Sequence, residues 1–325
     1  GKEEDMSTDR YTSRSGETPP QSPKLPADAR FKGKEDYRLL ADPLPTPQAE
    51  ALNKLSQGQL LGLLEWLVPR DLEILNSLRS AKYLLTGQIQ RLHVPVIKSP
   101  SGAIRNTSNT MRKLKSYGLV KTFQRRIGGA RAGSSSLIWC LTEAGQRFLN
   151  ARDGLESTRR SHRYLEPSYV HIRHTLAIAE CYVQLVEISR GSKKLQLKSV
   201  EPDCWRPYTC DHHRFQLKPD LFVVVCNGEY EDRWFIEIDL NTEALPVLLD
   251  KCKRYYQYLA TNIEQRRNGG VFPIPVWIVP EEDRKQKLIA ALDESFPNAP
   301  NMFAVITAEE FGGLIQTGAD GIELH

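Results

Sequence analysis

The stretch WFIEIDLNTE, residues 234–243, combines the alternation of a buried β-strand with two carboxylates only two residues apart. Side chains alternate between the two faces of a strand, so Glu237 and Asp239 share one face while the large apolar side chains occupy the other. Two like charges this close on an apolar strand repel each other and lose hydration energy. The stretch therefore predicts a cation beside them, either a metal ion or a basic side chain.

A second apolar strand, KPDLFVVV at residues 218–225, carries another carboxylate near its start. Asp220 follows Pro219 and precedes Glu237 by 17 residues, and Lys218 shares its face. Taken singly, such carboxylates are usually turn residues or part of a solvent-facing strand edge. Together on paired strands they favour a site for Mg²⁺ or Mn²⁺, because carboxylate oxygens suit these ions, which activate water at a phosphodiester.

From about residue 165 onward, helical and strand patterns alternate. A long helix covers residues 168–188, and three strands follow at 194–202, 214–225 and 232–240. Helical and strand segments then alternate to residue 307. This order predicts a mixed central sheet with helices on both faces. Glu180 lies in the long helix.

The region from residue 57 to 152 contains three helical patterns, two strands joined by the glycine-rich hairpin IGGARAG, and a closing helix. Pro69 and Asp71 are suited to the start of the first helix, and Gly118 is suited to the end of the third. Three helices followed by a hairpin are the order of a winged helix-turn-helix. The sequence therefore predicts a winged helix-turn-helix in this region.

Basic residues are concentrated on the third helix and the wing, and residues 105–131 contain no Asp or Glu. A recognition helix in the major groove, with a basic wing on the backbone beside it, needs this distribution. Double-stranded DNA is therefore the expected partner, although winged helices also serve as protein-interaction modules. The residues expected to contact DNA are Arg105, Asn106, Asn109, Arg112, Lys113 and Lys115 in the helix, and Arg125, Arg126 and Arg131 in the wing.

The carboxylate pattern resembles a known nuclease fold. Pro219-Asp220 followed by Glu237-Ile238-Asp239 resembles the PD-(D/E)XK nucleases, in which acidic residues on neighbouring strands hold a divalent metal. The wider order of HIRHTLAIAECYVQL, KPDLFVV, WFIEIDLNTE and KCKRYYQYL after a winged helix resembles the replication-relaxation family of bacterial plasmids and integrative elements. The resemblance spans most of residues 60–290. It implies an α+β N-terminal winged helix-turn-helix followed by an α/β restriction-endonuclease-like domain with a mixed central sheet.

One position departs from the nuclease pattern, because Asp239 stands where the motif has a Lys that positions the attacking water. Lys218 on the neighbouring strand or Lys251 in the following helix could supply that cation. Asp239 could instead bind a second metal, or the domain could be an inactive nuclease that holds DNA. The expected catalytic residues are Asp220, Glu237, Asp239, Lys218 and Lys251, and the expected metal ligands are Asp220, Glu237, Asp239 and Glu180.

Length and composition set the wider expectations. The chain of 325 residues is 40% apolar and 26% charged, as in globular proteins of about two domains. We expect a disordered Pro-rich leader at 1–56, the winged helix at 57–152 and the nuclease-like domain at 153–325. No apolar run reaches the roughly 18 residues of a membrane helix, and the six Cys are dispersed. A location in the bacterial cytoplasm, without a membrane partner, is therefore expected.

The resemblance implies a function on DNA. The expected function is that of a metal-dependent endonuclease or nickase of a mobile element, acting in plasmid replication initiation or DNA transfer. The alternatives are a non-catalytic DNA-binding initiator or accessory protein, and a winged-helix transcription regulator. Other replication or transfer proteins are further expected partners, as is a second copy in a homodimer. Zn²⁺ is not the expected cofactor, because the Cys and His residues of CWRPYTCDHH, residues 204–213, lack the spacing of zinc sites.

Overall fold

The N-terminal part of the fold is helical with a small sheet. The computed structural model describes residues 56–96, 99–123, 137–155, 167–228 and 230–325, so the leader expected at 1–56 lies, except for Ser56, outside the described residues. The elements of this part are α1 (Gln57–Leu61), α2 (Pro69–Ala81), β1 (Leu84–Leu85), α3 (Thr86–His93), α4 (Pro100–Ser116), β2 (Val120–Thr122), β3 (Ile138–Leu141) and α5 (Glu143–Arg152). The three strands form a sheet in the order β1-β3-β2.

Local sequence explains where the longer helices begin and end. Pro69 is the first residue of α2, where its missing N–H is not needed, and Asp71 accepts the backbone N–H of Val68 at 3.0 Å. Ser99 caps α4 by accepting the N–H of Gly102 at 3.1 Å. Gly118 follows that helix with φ +66°, a conformation that glycine adopts without strain.

The second part of the fold is built around a five-stranded sheet. Its elements are α6 (Tyr169–Gly191), β4 (Leu195–Pro202), β5 (Arg206–Cys210), β6 (His213–Leu217), β7 (Leu221–Asn227), β8 (Tyr230–Ile238), α7 (Leu245–Ala260), α8 (Ile263–Arg267), β9 (Ile274–Val279), α9 (Glu282–Ser295), β10 (Ala304–Thr307) and α10 (Phe311–Thr317). The sheet order is β10-β9-β8-β7-β4, and β5 and β6 form a separate hairpin.

The large sheet is mixed, as the sequence predicts. β8, β9 and β10 run parallel, whereas β7 is antiparallel to both β8 and β4. Helices cover both faces: α7 and α9 pack on the face that includes Phe235, and α6 and α10 pack on the face that includes Trp234 and Ile236. The second half of β8, residues 234–238, is therefore buried on both sides, and Glu237 faces helix α7 rather than water.

One strand prediction was wrong in its extent. Residues 214–225 were expected to form one strand, but β6 ends at Leu217 and β7 begins at Leu221. Pro219 separates them, because proline has no N–H to donate to a β-ladder. It is therefore found only at strand ends or in edge strands. The break assigns Asp220 to the junction between the hairpin and the main sheet.

Helix α6 belongs to two hydrophobic cores. Ala179 and Val183 pack in the core of the N-terminal part, and Cys181 and Leu185 pack in the core beneath the large sheet. Residues two apart on a helix point to different sides, so one helix serves both cores. Among the helices that the structure describes, none is both long enough and apolar enough to cross a lipid bilayer.

Candidate active site

Two of the predicted carboxylates meet at one end of β7 and β8. The register pairs Leu221 with Ile236, and continuing it by one residue places Asp220 beside Glu237. The backbone N–H of Ile238 donates to Oδ2 of Asp220 at 2.8 Å, which fixes this carboxylate against β8. The structure therefore brings Asp220 and Glu237 together across the two strands.

Glu237 lies in a closed environment formed by helix α7. Its side chain is buried, the hydroxyl of Tyr255 donates to Oε1 at 2.6 Å, and the ammonium of Lys251 contacts Oε2. Lys251 and Tyr255 are four residues apart and so lie on one side of the helix. Burial raises the pKa of Glu237 to about 7; Lys251 opposes that shift, and the charge of Asp220 adds to it.

Lys251 is the cation that contacts Glu237, and the charge of Asp220 also acts on it. Burial by itself lowers the pKa of Lys251, but the charges of Glu237 and Asp220 outweigh burial and raise that pKa above its usual value. The ammonium therefore stays charged at neutral pH. It is the one of the two candidate lysines that reaches Glu237, because Lys218 has an exposed side chain on the segment between β6 and β7.

His174, on helix α6, approaches the pair from the other side. Its Nε2 atom lies 3.3 Å from Oδ2 of Asp220 and 3.0 Å from the carbonyl oxygen of Ile238. The hydrogen bond to Asp220 raises the pKa of His174 above its usual value. Asp220 is thus held by a backbone N–H and by an imidazole, which together fix its orientation.

Asp239 is engaged elsewhere. Its Oδ2 accepts Nε of Arg284 on α9 at 2.6 Å, and its Oδ1 accepts the backbone N–H of Asn241 at 2.8 Å. Arg284 also donates to the carbonyl oxygen of Glu243 at 2.8 Å, so the pair ties the segment after β8 to α9. Both carboxylate oxygens of Asp239 therefore have partners within the protein, and its expected metal-binding role stays a prediction.

Glu180 is also separated from the pair by its contacts. It accepts Nη1 of Arg91 at 2.6 Å and Nε2 of Gln88 at 3.1 Å, both from α3 of the N-terminal part. These bonds direct the Glu180 carboxylate toward α3, and its expected role as a metal ligand stays a prediction.

The residues that could hold a divalent cation here are Asp220 and Glu237, which lie at adjacent positions of β7 and β8. Mg²⁺ in proteins is commonly held by one or two carboxylates with water completing its shell. Within the described residues, no group of three or more His, Cys, Asp and Glu side chains is arranged to hold a metal. The set is thus a carboxylate pair and not a closed metal cage.

The predicted DNA-contact residues fall into three groups. Five of them are exposed side chains of α4: Arg105, Asn106, Asn109, Arg112 and Lys115. Lys113 instead contacts the buried carboxylate of Asp71, so its charge is already paired. The wing residues Arg125, Arg126 and Arg131 lie outside the described residues.

Some residues of the site had weak sequence signals or none. Arg284 lies 45 residues after Asp239 in a surface-like helix pattern, and no spacing rule joins them. Tyr255 follows the periodicity of a core residue, so its bond to Glu237 is invisible in the sequence. His174 is separated by 64 residues from Ile238, although a His one turn from another in a long apolar helix is a weak signal of a polar contact.

The chain is an α+β protein with a polar site at the strand ends. A helical unit with a three-stranded sheet precedes the mixed sheet, and a carboxylate pair and a lysine lie at the site. The chain belongs to the replication-relaxation family, whose family model matches residues 75–274. The match runs from α2 to the start of β9 and therefore includes both parts of the fold. No curated protein matches the chain in sequence.

Two kinds of solved structure are similar to the chain at low levels. The crystal structure of protein VC1899 from Vibrio cholerae has 11% identity and a TM-score of 0.28, covering 80% of this chain and 55% of that one. The restriction endonuclease FokI bound to DNA has 15% identity and a TM-score of 0.24, covering 77% of this chain and 44% of that one. The chain thus spans about half the length of these proteins.

Proposed function

We propose that the protein binds DNA and cuts one strand of it with a divalent metal, as an endonuclease or nickase of a mobile element. The observation that carries this proposal is the adjacency of Asp220 and Glu237 with Lys251 beside them. Two carboxylates at the ends of neighbouring strands, with a lysine beside them, are the residue types of the PD-(D/E)XK nuclease fold. In this proposal Lys251, from helix α7, replaces the motif lysine that Asp239 displaces.

The N-terminal part supports DNA binding by its element order and its charge. The order α2-β1-α3-α4-β2-β3 and the strand order β1-β3-β2 support a winged helix, in which we propose α4 as the recognition helix. Residues 74–142 contain twelve Lys and Arg residues and no Asp or Glu. A continuous segment whose charged residues are all basic favours a polyanionic partner, and we propose that this partner is double-stranded DNA.

The metal would be Mg²⁺ or Mn²⁺ held by Asp220 and Glu237. When bound, it would polarise the phosphodiester and activate water for attack. Asp220 is oriented for this role by the N–H of Ile238 and by His174. Glu237 must lose any proton to bind a cation, and its pKa of about 7 makes metal binding stronger as pH rises through neutrality.

Lys251 has a separate role in this scheme. Its ammonium is charged, lies against Glu237, and is held in a half-buried position from which it can neutralise a non-bridging phosphate oxygen or orient the attacking water. Tyr255 keeps Glu237 in place by a 2.6 Å hydrogen bond. Cleavage that leaves a 3′-hydroxyl at the nick would suit the start of replication or transfer.

A second candidate function, a non-catalytic DNA-binding accessory protein, is favoured by one observation. Both oxygens of Glu237 already have partners, Lys251 and Tyr255, and burial favours its protonated form near neutral pH. A site satisfied in this way is stable without a metal. Glu237, Lys251 and Tyr255 would then only hold the end of β8 in place. The large sheet would contribute to DNA binding and not to cleavage.

Nicking of supercoiled plasmid in the presence of Mn²⁺ separates the two functions. The wild-type protein is expected to convert supercoiled into open-circular DNA, and Asp220→Asn and Glu237→Gln are each expected to lower that rate roughly 100-fold or more. A matched control is Asp250→Asn, which changes an exposed acid of the same helix that carries Lys251. Its rate should equal that of the wild type.

The contrary outcomes are distinct. DNA binding without nicking by the wild type, in Mg²⁺ and in Mn²⁺, would favour the accessory function. Nicking that persists unchanged in both carboxylate variants would place the activity elsewhere or in a contaminant, and the proposal would be withdrawn.

A further inference from the structure

The hairpin formed by β5 and β6 leads directly into the candidate active site. β6 ends at Leu217, and Asp220 follows after only Lys218 and Pro219. The turn of the hairpin is formed by Asp211 and His212, which both have positive φ, at 49° and 63°. Such two-residue turns match the twist of paired strands, so the hairpin is a defined ribbon rather than a loose loop.

One face of this ribbon is anchored to the helices. Arg206 is buried and bonded to Glu201 at 2.8 Å and to Glu264 at 3.1 Å. Tyr208 stacks on Phe215 across the two strands, with ring centroids 5.6 Å apart, and packs against Tyr258 of α7. These contacts hold the ribbon rigidly beside the site.

The opposite face, which we call the outer face, is exposed and has a different chemistry. Trp205 is 57% exposed, and its indole N–H donates to Oε1 of Gln216 at 2.6 Å, which fixes the ring orientation. Arg214 and Lys218 are exposed on the same side. The residues of the outer face are Trp205, Pro207, Thr209, Arg214, Gln216 and Lys218, and none of them is acidic.

An exposed and oriented indole on a face that also carries two cations fits a nucleic-acid strand whose bases are unpaired. Base stacking on aromatic side chains needs an open ring, and the backbone phosphates need cations nearby. Duplex DNA hides its base faces and would engage only the cations. The complementarity of charge therefore favours a DNA strand, and the exposed ring favours a single strand.

We propose that the outer face binds a single-stranded segment of the DNA substrate beside the nicking site, with Trp205 stacked on a base and Arg214 and Lys218 on phosphates. This inference rests on the proposed function, because it names the form of DNA that the site accepts. Lys218, expected from the sequence to be catalytic, becomes in this account a residue that binds the substrate.

Tryptophan fluorescence of the full-length protein tests this inference without any cleavage. Trp139, Trp234 and Trp277 are buried and Trp66 is half-buried, so Trp205 is the tryptophan most open to a ligand among the described residues. In EDTA, a thymidine oligonucleotide of about 15 residues is expected to quench the emission. Trp205→Ala should abolish most of the quenching and weaken binding about tenfold.

Two controls separate stacking from charge. Trp66→Phe should leave both quenching and affinity at the wild-type level. The double variant Arg214→Ala with Lys218→Ala should weaken binding and flatten its salt dependence, yet retain the quenching at saturation. The inference is overturned if Trp205→Ala binds the oligonucleotide as tightly as the wild type, or if a blunt duplex of the same length quenches equally.

The result is independent of the nicking assay. The Asp220→Asn and Glu237→Gln variants should bind the oligonucleotide and lose emission as the wild type does. Quenching without any nicking would support single-strand binding by the outer face and overturn the proposed nuclease activity. Nicking that does not depend on Trp205 would support the nuclease activity and overturn single-strand binding by the outer face.

Discussion

Two carboxylates on one apolar strand are tolerated because each has its own basic partner. Glu237 contacts Lys251 of α7, and Asp239 contacts Arg284 of α9, two helices that pack on the same face of the sheet. The strand alternation in the sequence predicts a shared face and a neighbouring cation. The sequence does not identify Arg284, because contacts between side chains far apart in the chain depend on how α9 packs against the sheet.

Arg284→Ala should destabilise the protein strongly. The Arg284 and Asp239 side chains are 8% and 2% exposed, and removing one partner leaves a buried charge without compensation. We expect the free energy of unfolding in urea to fall by about 3–5 kcal/mol. Arg254→Ala is the control, because it removes an exposed ion pair with Asp250 and should cost less than about 1 kcal/mol. Equal losses in the two variants would contradict the structural role of the buried pair.

His174 should make stability depend on pH. Its pKa is raised in the folded protein by Asp220, so the folded state binds the proton more tightly than the unfolded state. This contribution is complete below the unfolded pKa of about 6.5 and is lost as pH rises through the higher folded value. His174→Gln should therefore show a smaller loss of Tm on raising the pH from about 6 to 8 in EDTA. Parallel Tm profiles for the two proteins would show that Asp220 does not hold the histidine.

At the scale of elements, hydrophobic periodicity in the sequence predicts the helices and most strands. It fails where a single residue interrupts the hydrogen bonding of a strand. The pattern of residues 214–225 is apolar enough for one strand, but Pro219 divides it into β6 and β7. That division matters for function, because it separates the ribbon from the sheet and places Asp220 at the junction. The spacing of Asp220 and Glu237 in the sequence, by contrast, suffices to predict that they are neighbours.

Helix α4 should contribute to DNA affinity through its exposed cations. Each phosphate contact that is removed should reduce the slope of log affinity against log salt by about 1. We expect this change for Arg105→Ala and for Arg112→Ala, measured by fluorescence anisotropy with a duplex. Lys287→Ala removes an exposed lysine of α9 and is the control. A slope that is unchanged in both arginine variants, or reduced equally in the control, would show that α4 does not face DNA.

At the scale of the whole molecule, α6 joins the N-terminal part to the large sheet. Its side chains fill the cores of both parts, and His174 at the same time reaches Asp220. The sequence indicates that this helix is apolar on more than one side, which is typical of a buried helix. It does not reveal that the two sides serve different cores, because that depends on which elements pack there. The domain boundaries at 57–152 and 153–325 remain predictions.

Helix α6 connects the proposed DNA-binding surface of the N-terminal part with the candidate active site. A helix shared by both cores limits their relative motion, since repacking it would disturb two sets of buried side chains. The exposed face of α4, the outer face of the ribbon and the carboxylate pair are then parts of one framework. This coupling is compatible with the proposal that DNA bound by the N-terminal part is presented to Asp220 and Glu237.

The most direct test of the central claim is the position of Mn²⁺ in crystals of the protein, measured by anomalous diffraction at the manganese edge. The account predicts a peak within about 2.2 Å of carboxylate oxygens of both Asp220 and Glu237, with Lys251 displaced from its contact with Glu237. It is contradicted if crystals grown above pH 7 with saturating Mn²⁺ show no peak there and Glu237 keeps both of its present partners.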